Sequence, residues 1–428
     1  MSDTPLKTDP YKGVRDFFPE EAAVQQYIFS TWSRTAETFG FARYNASVLE
    51  PAELYKAKGA ENEELVHDQT YTFTDRGDRE VTLRPEMTPT VARLIAAKRR
   101  ELSFPVRWYS IPNLFRYERP QRGRLREHWQ LNCDIFGGDK TANDIEAVLL
   151  AQQTLLDFGA DPQTFEIRLN HRVVLQNLLA RYHITDITEA TRLIDRIDKL
   201  PADEFKEKLS SLAPSDAVTP LYQYLTSCDE SKFADIAADS NLSAVLTGLR
   251  SLGITNIVFS PALARGFDYY TGVIFELFDT SPENKRSLIG GGRYDNLTAL
   301  FGGDAISGVG FGVGDVTMQD FLETHQLLTA DHIQPVAPVH LIPMSPEEYL
   351  PAQAVAMEIR QAGLAVAVNT GSKKVGEKIS KASQGGADYI IVIGEDEVKN
   401  NTYTLKHLPT GKEHTGPLVD LIKIMTIA

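Results

Sequence analysis

Cysteine is nearly absent from this chain. Its 428 residues hold two, Cys133 and Cys228, far apart in sequence. That excludes a disulfide framework and a cysteine-rich structural zinc site, and it predicts a reducing compartment, the cytoplasm. Long apolar runs are missing too. No stretch approaches the ~20 residues that span a bilayer, so no membrane association is expected. The opening segment MSDTPLKTDPYKGVRDFFPEE lacks the apolar core of a secretory signal, and none is expected. Basic charge is in deficit: 44 Lys and Arg face 58 Asp and Glu, a net charge of −14. Phosphate contacts need cations, so binding of nucleic acid through the surface as a whole is disfavoured. Binding through a local basic patch is not.

What is present is an ordinary globular composition, spread over a chain too long for one small core; at about 100–200 residues per domain, two or three domains are expected. Pattern separates four stretches. Residues 1–170 open with a turn around Gly13, Asp16 and Pro19. A helix is predicted over 20–39, with Gly40 as its C-terminal stop. Strands are predicted at 70–74, 80–83 and 107–114, in an antiparallel sheet flanked by helices. Residues 171–255 read as a helical insertion, with helices near 173–182 and 189–199. Residues 256–325 return to strands and glycine turns. After a proline-bearing linker, 335–428 alternate strand and helix (VHLIPM, 351–362, LAVAVNT, 375–385, YIIVIGEDE), which predicts a small α/β domain with a mostly parallel sheet. The fold class is therefore α+β with a C-terminal α/β domain.

Four segments carry candidate chemistry. In LRPEMTPTVARL (83–94), Thr88 followed by Pro89 suits a helix N-cap. Glu86 is less well explained by structure alone and could take a ligand ammonium group. In NLFRYERPQRGRLREHWQLNCDIFG (113–137), Arg116, Arg119, Arg122, Arg124 and Arg126 crowd a strand–loop–strand pattern. Arginine offers a planar fork suited to phosphate. Alternation places Arg116 with Glu118 on one strand face, and Gln130, Asn132 and Asp134 on one face of the returning strand. A solvated charged hairpin is the plainer alternative. In ALARGFDYYTGVIFEL (262–277), Arg265 precedes Gly266, and Tyr269 and Tyr270 are expected to enter a strand facing opposite ways, either as core or with their hydroxyls on a polar ligand. IGGGRYDNL (289–297) and SGVGFGVGDV (307–316) are glycine-rich but match no Walker or Rossmann pattern; tight hairpins and close packing explain them equally well.

Taken together and in this order, these segments resemble the histidyl-tRNA synthetase family along nearly the whole chain. The 13–16 turn resembles the family's opening, the arginine-rich hairpin its class II motif 2, ARGFDYYTG its histidine signature, and GGRYDNL with GVGFGVGDV the run into motif 3. GSKKVGEKISKASQGGADYIIVIGEDE resembles an anticodon-binding domain. The resemblance implies a ligase that activates histidine with ATP and Mg2+ and passes it to histidine tRNA. It implies that Glu86, Thr88 and Gln130 hold the α-amino group, and that Asp134 and Tyr270 read the imidazole, with Tyr269 in the same pocket. It implies Arg116 on the α-phosphate and histidine carboxylate, Glu118 and His128 at adenine, and Arg124 at the β- and γ-phosphates. Arg265 would be the catalytic arginine, and Arg119, Gln121 and Arg122 would meet the tRNA acceptor end. No resident metal site is implied. A homodimer is implied, through the helix ending near Gly40 and the strand reaching Pro51.

Three departures stand out. Thr317 occupies the position of the motif 3 arginine that contacts the γ-phosphate, His128 stands for a larger stacking aromatic, and Asp134 stands for a longer glutamate. The first favours an alternative, a non-catalytic histidine-binding paralogue such as an ATP phosphoribosyltransferase regulatory subunit; the C-terminal domain argues against it. A synthetase of prolyl or threonyl specificity is opposed by ARGFDYYTG, and an inactive RNA-binding scaffold by the acidic charge. Lys373, Lys374, Lys378 and Lys381 form a basic stretch that faces either anticodon-stem phosphates or solvent.

Overall fold

A computed structural model describes residues 7–56, 69–264, 269–329 and 337–427. The chain divides into two compact units, Met1–Leu328 and Thr329–Ala428.

The first helix, Pro19–Thr38, buries Ile28, Trp32 and Ala36, spaced four apart on one face. It ends because Gly40 takes φ +78°, which favours glycine. The Gly40 N–H then bonds Glu37 O and the Phe41 N–H bonds Ala36 O, closing a Schellman turn.

The first unit carries β1 (Ala42–Arg43), β2 (Leu49–Pro51), β3 (Tyr71–Thr74), β4 (Glu80–Leu83), β5 (Val106–Ser110), β6 (Asn113–Phe115), β7 (Glu127–Phe136), β8 (Phe165–His171), β9 (Ile257–Phe259), β10 (Val273–Asp279), β11 (Ser287–Arg293) and β12 (Gly308–Gly314). Nine of them form one sheet, in the order β1-β5-β7-β12-β11-β10-β8-β9, with β6 also on β7. All its pairings are antiparallel except those at the two edges, β1 with β5 and β8 with β9. The single strand expected over 107–114 is two. Pro112 has no N–H to give a ladder, and its carbonyl instead accepts from Gln130 N. The chain bends there, yet both pieces stay on β7: Ser110 faces Asn132, and Asn113 faces Trp129. A second, three-stranded sheet runs β2-β4-β3.

Between β8 and β9 lie five helices, from Arg172–Arg181 to Leu242–Ser251. Their buried Leu178, Phe205, Leu221 and Leu246 belong to the same apolar core as Leu131 of β7 and Phe275 of β10, so the insertion is a layer packed on the sheet. The helix expected over 189–199 is shorter. It begins at Ile187, where Asp186 accepts from the Glu189 N–H, and stops at Ile194 before a single 3-10 turn, Ile197–Lys199.

The second unit is a five-stranded sheet of β13 (Val339–Pro343), β14 (Val366–Val368), β15 (Tyr389–Ile393), β16 (Tyr403–His407) and β17 (Glu413–Gly416), ordered β14-β13-β15-β16-β17. The first three run parallel, joined by the helices Tyr349–Gln361 and Val375–Gln384. The other two add an antiparallel hairpin at one edge. Leu341, Ile359, Ile391 and Leu405 fill its own core. Among the described residues, no helix is long and apolar enough to cross a membrane.

Candidate active site

The middle of the large sheet builds the site. Along β7, His128, Gln130, Asn132 and Asp134 alternate onto one face and line a cavity of about 1110 Å³. The neighbouring strands present glycine at the facing positions: Gly310 sits opposite Asp134, Gly312 opposite Asn132, and Gly290 opposite Gly312. These segments were expected to be glycine turns; they are strands, and the glycines make room. A Cβ on Gly312 would lie 2.8 Å from the Gln130 side chain, and one on Gly310 would lie 2.7 Å from the Tyr294 hydroxyl. A Cβ on Gly292 would meet the Tyr270 ring at 2.8 Å. The missing side chains are what lets these polar groups reach the cavity.

At one end of the cavity two carboxylates are buried. Glu86 enters just before the helix Thr88–Lys98, and Tyr269 donates its hydroxyl to Glu86 Oε2 at 3.1 Å. Burial pushes the Glu86 carboxyl up to about 7, although the Arg116 charge and the Tyr269 hydrogen bond both pull it down. Asp134 is likewise pushed up to about 7 by burial, against a hydrogen bond from the Tyr294 hydroxyl to its Oδ1. Its Oδ2 is buried and has no hydrogen-bond partner among the described residues. A buried acceptor left open in a polar cavity is a ready place for a ligand N–H.

Thr88 is not the helix cap. Met87 holds that position and Thr88 is the first helical residue, leaving its side chain on the cavity wall. Tyr269 and Tyr270 do not alternate on a strand. They sit in the turn before β10, their rings 5.0 Å apart, and both line the cavity. Tyr294 was not singled out by sequence reasoning. Its only signal was membership of the GGRYDNL run, which carried no hint that it reaches a residue 160 positions away.

The other end is cationic. β6 stops at Phe115, so Arg116 and Glu118 do not share a strand face, but both line the cavity. Arg116 donates from Nε to Pro85 O at 2.9 Å, which fixes its guanidinium beside Glu86. Arg124 pairs with Glu118 at 3.2 Å. His128 is pushed down to about 3 by burial and by the charges of Arg116, Arg15 and Arg124, so its imidazole stays neutral. The loop tip closes with paired backbone bonds between Gln121 and Arg124, and Gly123 takes the positive φ this turn needs. Arg119 and Gln121 are exposed on it. Arg122 is tied down, its guanidinium 3.1 Å from Asn284 Oδ1 and 3.8 Å from Asp320. Arg126 lies 4.0 Å over the Tyr117 ring and donates to Glu118 O, so it braces the loop. The 13–16 turn is pinned to the same region: Gly13 O accepts from Arg126 N, and Arg15 pairs at 2.6 Å with the buried Asp315. Arg265 lies outside the described residues.

In the second unit, the expected basic stretch is broken by burial. Lys378 is buried and donates to Pro343 O, so it cannot face phosphate; Lys373 pairs with Glu377 at 3.7 Å. Lys374 and Lys381 remain exposed.

One cavity thus brings two buried carboxylates, Glu86 and Asp134, the second with an open oxygen, together with several guanidinium groups. It suits a ligand with an amine and a polar ring at the carboxylates, and polyphosphate at the guanidinium groups.

Residues 13–315 match a family model described as histidyl-tRNA synthetase, and residues 338–426 match one described as anticodon binding domain. A histidine–tRNA ligase of Leptospira biflexa is 40% identical over 97% of this chain and 96% of its own length. One of Haloarcula marismortui is 34% identical over 96% of each. In fold, the chain is similar to a histidyl-tRNA synthetase structure from Nostoc sp. PCC 7120, with a TM-score of 0.81 and 24% identity over 99% of each chain.

Proposed function

The chain belongs to the histidyl-tRNA synthetase family and is an ATP-dependent aminoacyl-tRNA ligase for histidine, and from that premise we propose how its cavity divides the work. The observation that carries the reading is the pairing of two buried carboxylates, Glu86 and Asp134, with a guanidinium wall in a single cavity.

Glu86, with Thr88 and Gln130, receives the α-ammonium of histidine. The open Oδ2 of Asp134 accepts one imidazole N–H, and Tyr270 serves the other ring nitrogen. Aliphatic amino acids would leave these buried groups unpaired, which is a strong basis for rejection. Tyr269 holds Glu86 in place. Arg116 neutralises the histidine carboxylate and the α-phosphate, joined by Arg265. Glu118 and the neutral ring of His128 meet adenine, and Arg124 meets the β- and γ-phosphates. The histidine carboxylate attacks the α-phosphorus and pyrophosphate leaves; the 3′-terminal hydroxyl of tRNA then attacks the carbonyl carbon of the mixed anhydride, forming the ester and releasing AMP. Fixed arginines lower both barriers by meeting charge as it develops. Magnesium is assigned to the ATP phosphates, where it would supply further charge neutralisation. Among the described residues, no group of three or more His, Cys, Asp or Glu could hold a metal ion.

The exposed Arg119, Gln121 and Arg122 are assigned to the acceptor end of histidine tRNA, and Lys374 and Lys381 to its anticodon stem. The alternative of a non-catalytic histidine-binding regulatory subunit is disfavoured by the anticodon-binding match over residues 338–426. A homodimer is proposed through the β2-β4-β3 sheet. Cross-strand register puts Leu49, Leu83 and Tyr71, then Pro51, Val81 and Phe73, on one face, and none of the six is buried. A second copy of the chain is assigned to cover this face. The two thiols, Cys133 buried and Cys228 exposed, are free, which suits a reducing cytoplasm.

The test is histidine-dependent exchange of pyrophosphate into ATP by the pure protein with magnesium. Exchange driven best by histidine is expected; its absence, or better exchange with another amino acid, overturns the reading.

A further inference from the structure

Thr317 brings no charge to the polyphosphate end of the cavity, yet a cation stands directly beside it. A Cβ built at Gly123, on the loop tip, would lie 2.9 Å from Arg286 Cδ and 3.4 Å from Thr317 Cγ2. Arg286, just before β11, therefore runs across the space between the tip and the helix Asp315–Thr324. It lines the large cavity together with Arg124, Lys285 and Thr317.

The surrounding carboxylates are already used. Glu118 pairs with Arg124 and Asp320 with Arg122, and no ion pair joins Arg286 to any carboxylate among the described residues. Its guanidinium is held partly out of water, a cost that Arg124 increases by like-charge repulsion, and its pKa is lowered for both reasons. Glu118 attracts Arg286 from a distance, but its carboxylate is already paired with Arg124, so two guanidinium groups share one carboxylate here and an added anion would complete the charge balance.

We propose that Arg286 binds the terminal phosphates of ATP, and the pyrophosphate that leaves, supplying from β11 the charge that Thr317 does not. This rests on the assignment of ATP to the cavity. The residue acts on the leaving group by binding and orienting it: the α-phosphorus–oxygen bond breaks, the electron pair goes to pyrophosphate, and Arg286 with Arg124 neutralises that charge.

The test compares wild type with Arg286→Ala and Arg286→Lys in pyrophosphate exchange. In Arg286→Ala the KM for ATP is expected to rise about tenfold or more, as for a lost charge-assisted contact. Histidine binding measured by calorimetry without ATP, and inhibition by AMP, which lacks the terminal phosphates, are expected to stay within about twofold. Arg286→Lys should recover part of the loss. Adding Thr317→Arg to Arg286→Ala should recover more, because both positions border the same space. An unchanged KM for ATP in Arg286→Ala, or an equal loss toward AMP and histidine, overturns the inference while leaving the ligase reading intact. If wild type itself shows no histidine-dependent exchange, it is the ligase reading that fails.

Discussion

Tyr294 donates its hydroxyl to Asp134 Oδ1, which leaves Oδ2 as the open acceptor in the pocket. The bond orients a short carboxylate, so Asp134 faces its ligand in one defined way. Tyr294→Phe is expected to keep the fold, because the ring still packs edge-on against Phe136, 5.9 Å away. It should raise the KM for histidine by roughly tenfold, about the worth of one hydrogen bond to a charged group. Asp134→Asn removes the ligand's acceptor charge and is expected to cost on the order of a hundredfold. In both variants the KM for ATP should hold steady in exchange assays. A parallel rise in both KM values would mean that the pair supports the pocket as a whole and does not read the amino acid.

The raised carboxyls of Glu86 and Asp134 give a pH dependence with a definite sign. Both lie near 7 in the folded chain, above the ordinary carboxylate range. Each therefore contributes stability that is full below about pH 4, is lost as pH rises through 7, and changes little beyond. The ligand-free protein should lose this part of its stability between about pH 4 and 7. Histidine binding works the other way, because its ammonium and ring N–H groups need the ionised carboxylates. Affinity should fall as pH drops below 7, by up to about tenfold per unit for each carboxylate that must release a proton. Calorimetry at pH 8, 7 and 6 in buffers of different ionisation enthalpy would show proton release; no release and a flat affinity profile would rule this out. Glu86→Gln should remove one proton from the balance.

Much of this was legible in the sequence because it is local. Alternation along β7 put Gln130, Asn132 and Asp134 on one face, and the chain obeys it. The Gly40 stop could be read from a single residue that tolerates positive φ. What could not be read depends on pairing across long separations. GGGRYDNL and GVGFGVG look like turns by composition, since glycine is a poor strand former. Their glycines lie in central strands because the neighbours' side chains need the space, and that requirement appears only once β7, β12 and β11 are side by side. Tyr294 and Arg286 were missed for the same reason: each acts on a segment far away in sequence. Lys378 misled in the opposite direction, for a lysine among lysines looks solvated until the fold buries it.

The apolar face of the β2-β4-β3 sheet gives an assembly test. Phe73 and Leu49 are about half exposed on it, at 48% and 47%. If a second copy covers them, Phe73→Glu should destabilise the dimer by placing a charge in an apolar contact. Light scattering coupled to size-exclusion chromatography should give a dimer for wild type and a shift toward monomer for the variant. Because the residue is at the surface of the single chain, the monomer's helix and strand content by circular dichroism should not change. A wild type that is monomeric at micromolar concentration would end the dimer proposal.

The loop tip should separate the two half-reactions. Arg119 and Gln121 are exposed on it and do not line the large cavity, while Arg124 pairs with Glu118 and does line it. Changing the tip should therefore spare the chemistry that needs only histidine and ATP. Arg119→Ala with Gln121→Ala is expected to leave pyrophosphate exchange within about twofold and to lower transfer to tRNA by roughly tenfold, the cost of a phosphate or base contact. Arg122→Ala should behave differently. Its guanidinium binds Asn284 and Asp320, so its loss should loosen the tip and the segment before β11 together, weakening both steps. Single-turnover transfer from preformed adenylate isolates the second step. An equal loss in exchange and transfer for the double variant would place Arg119 and Gln121 in the ATP site and remove them from the tRNA contact.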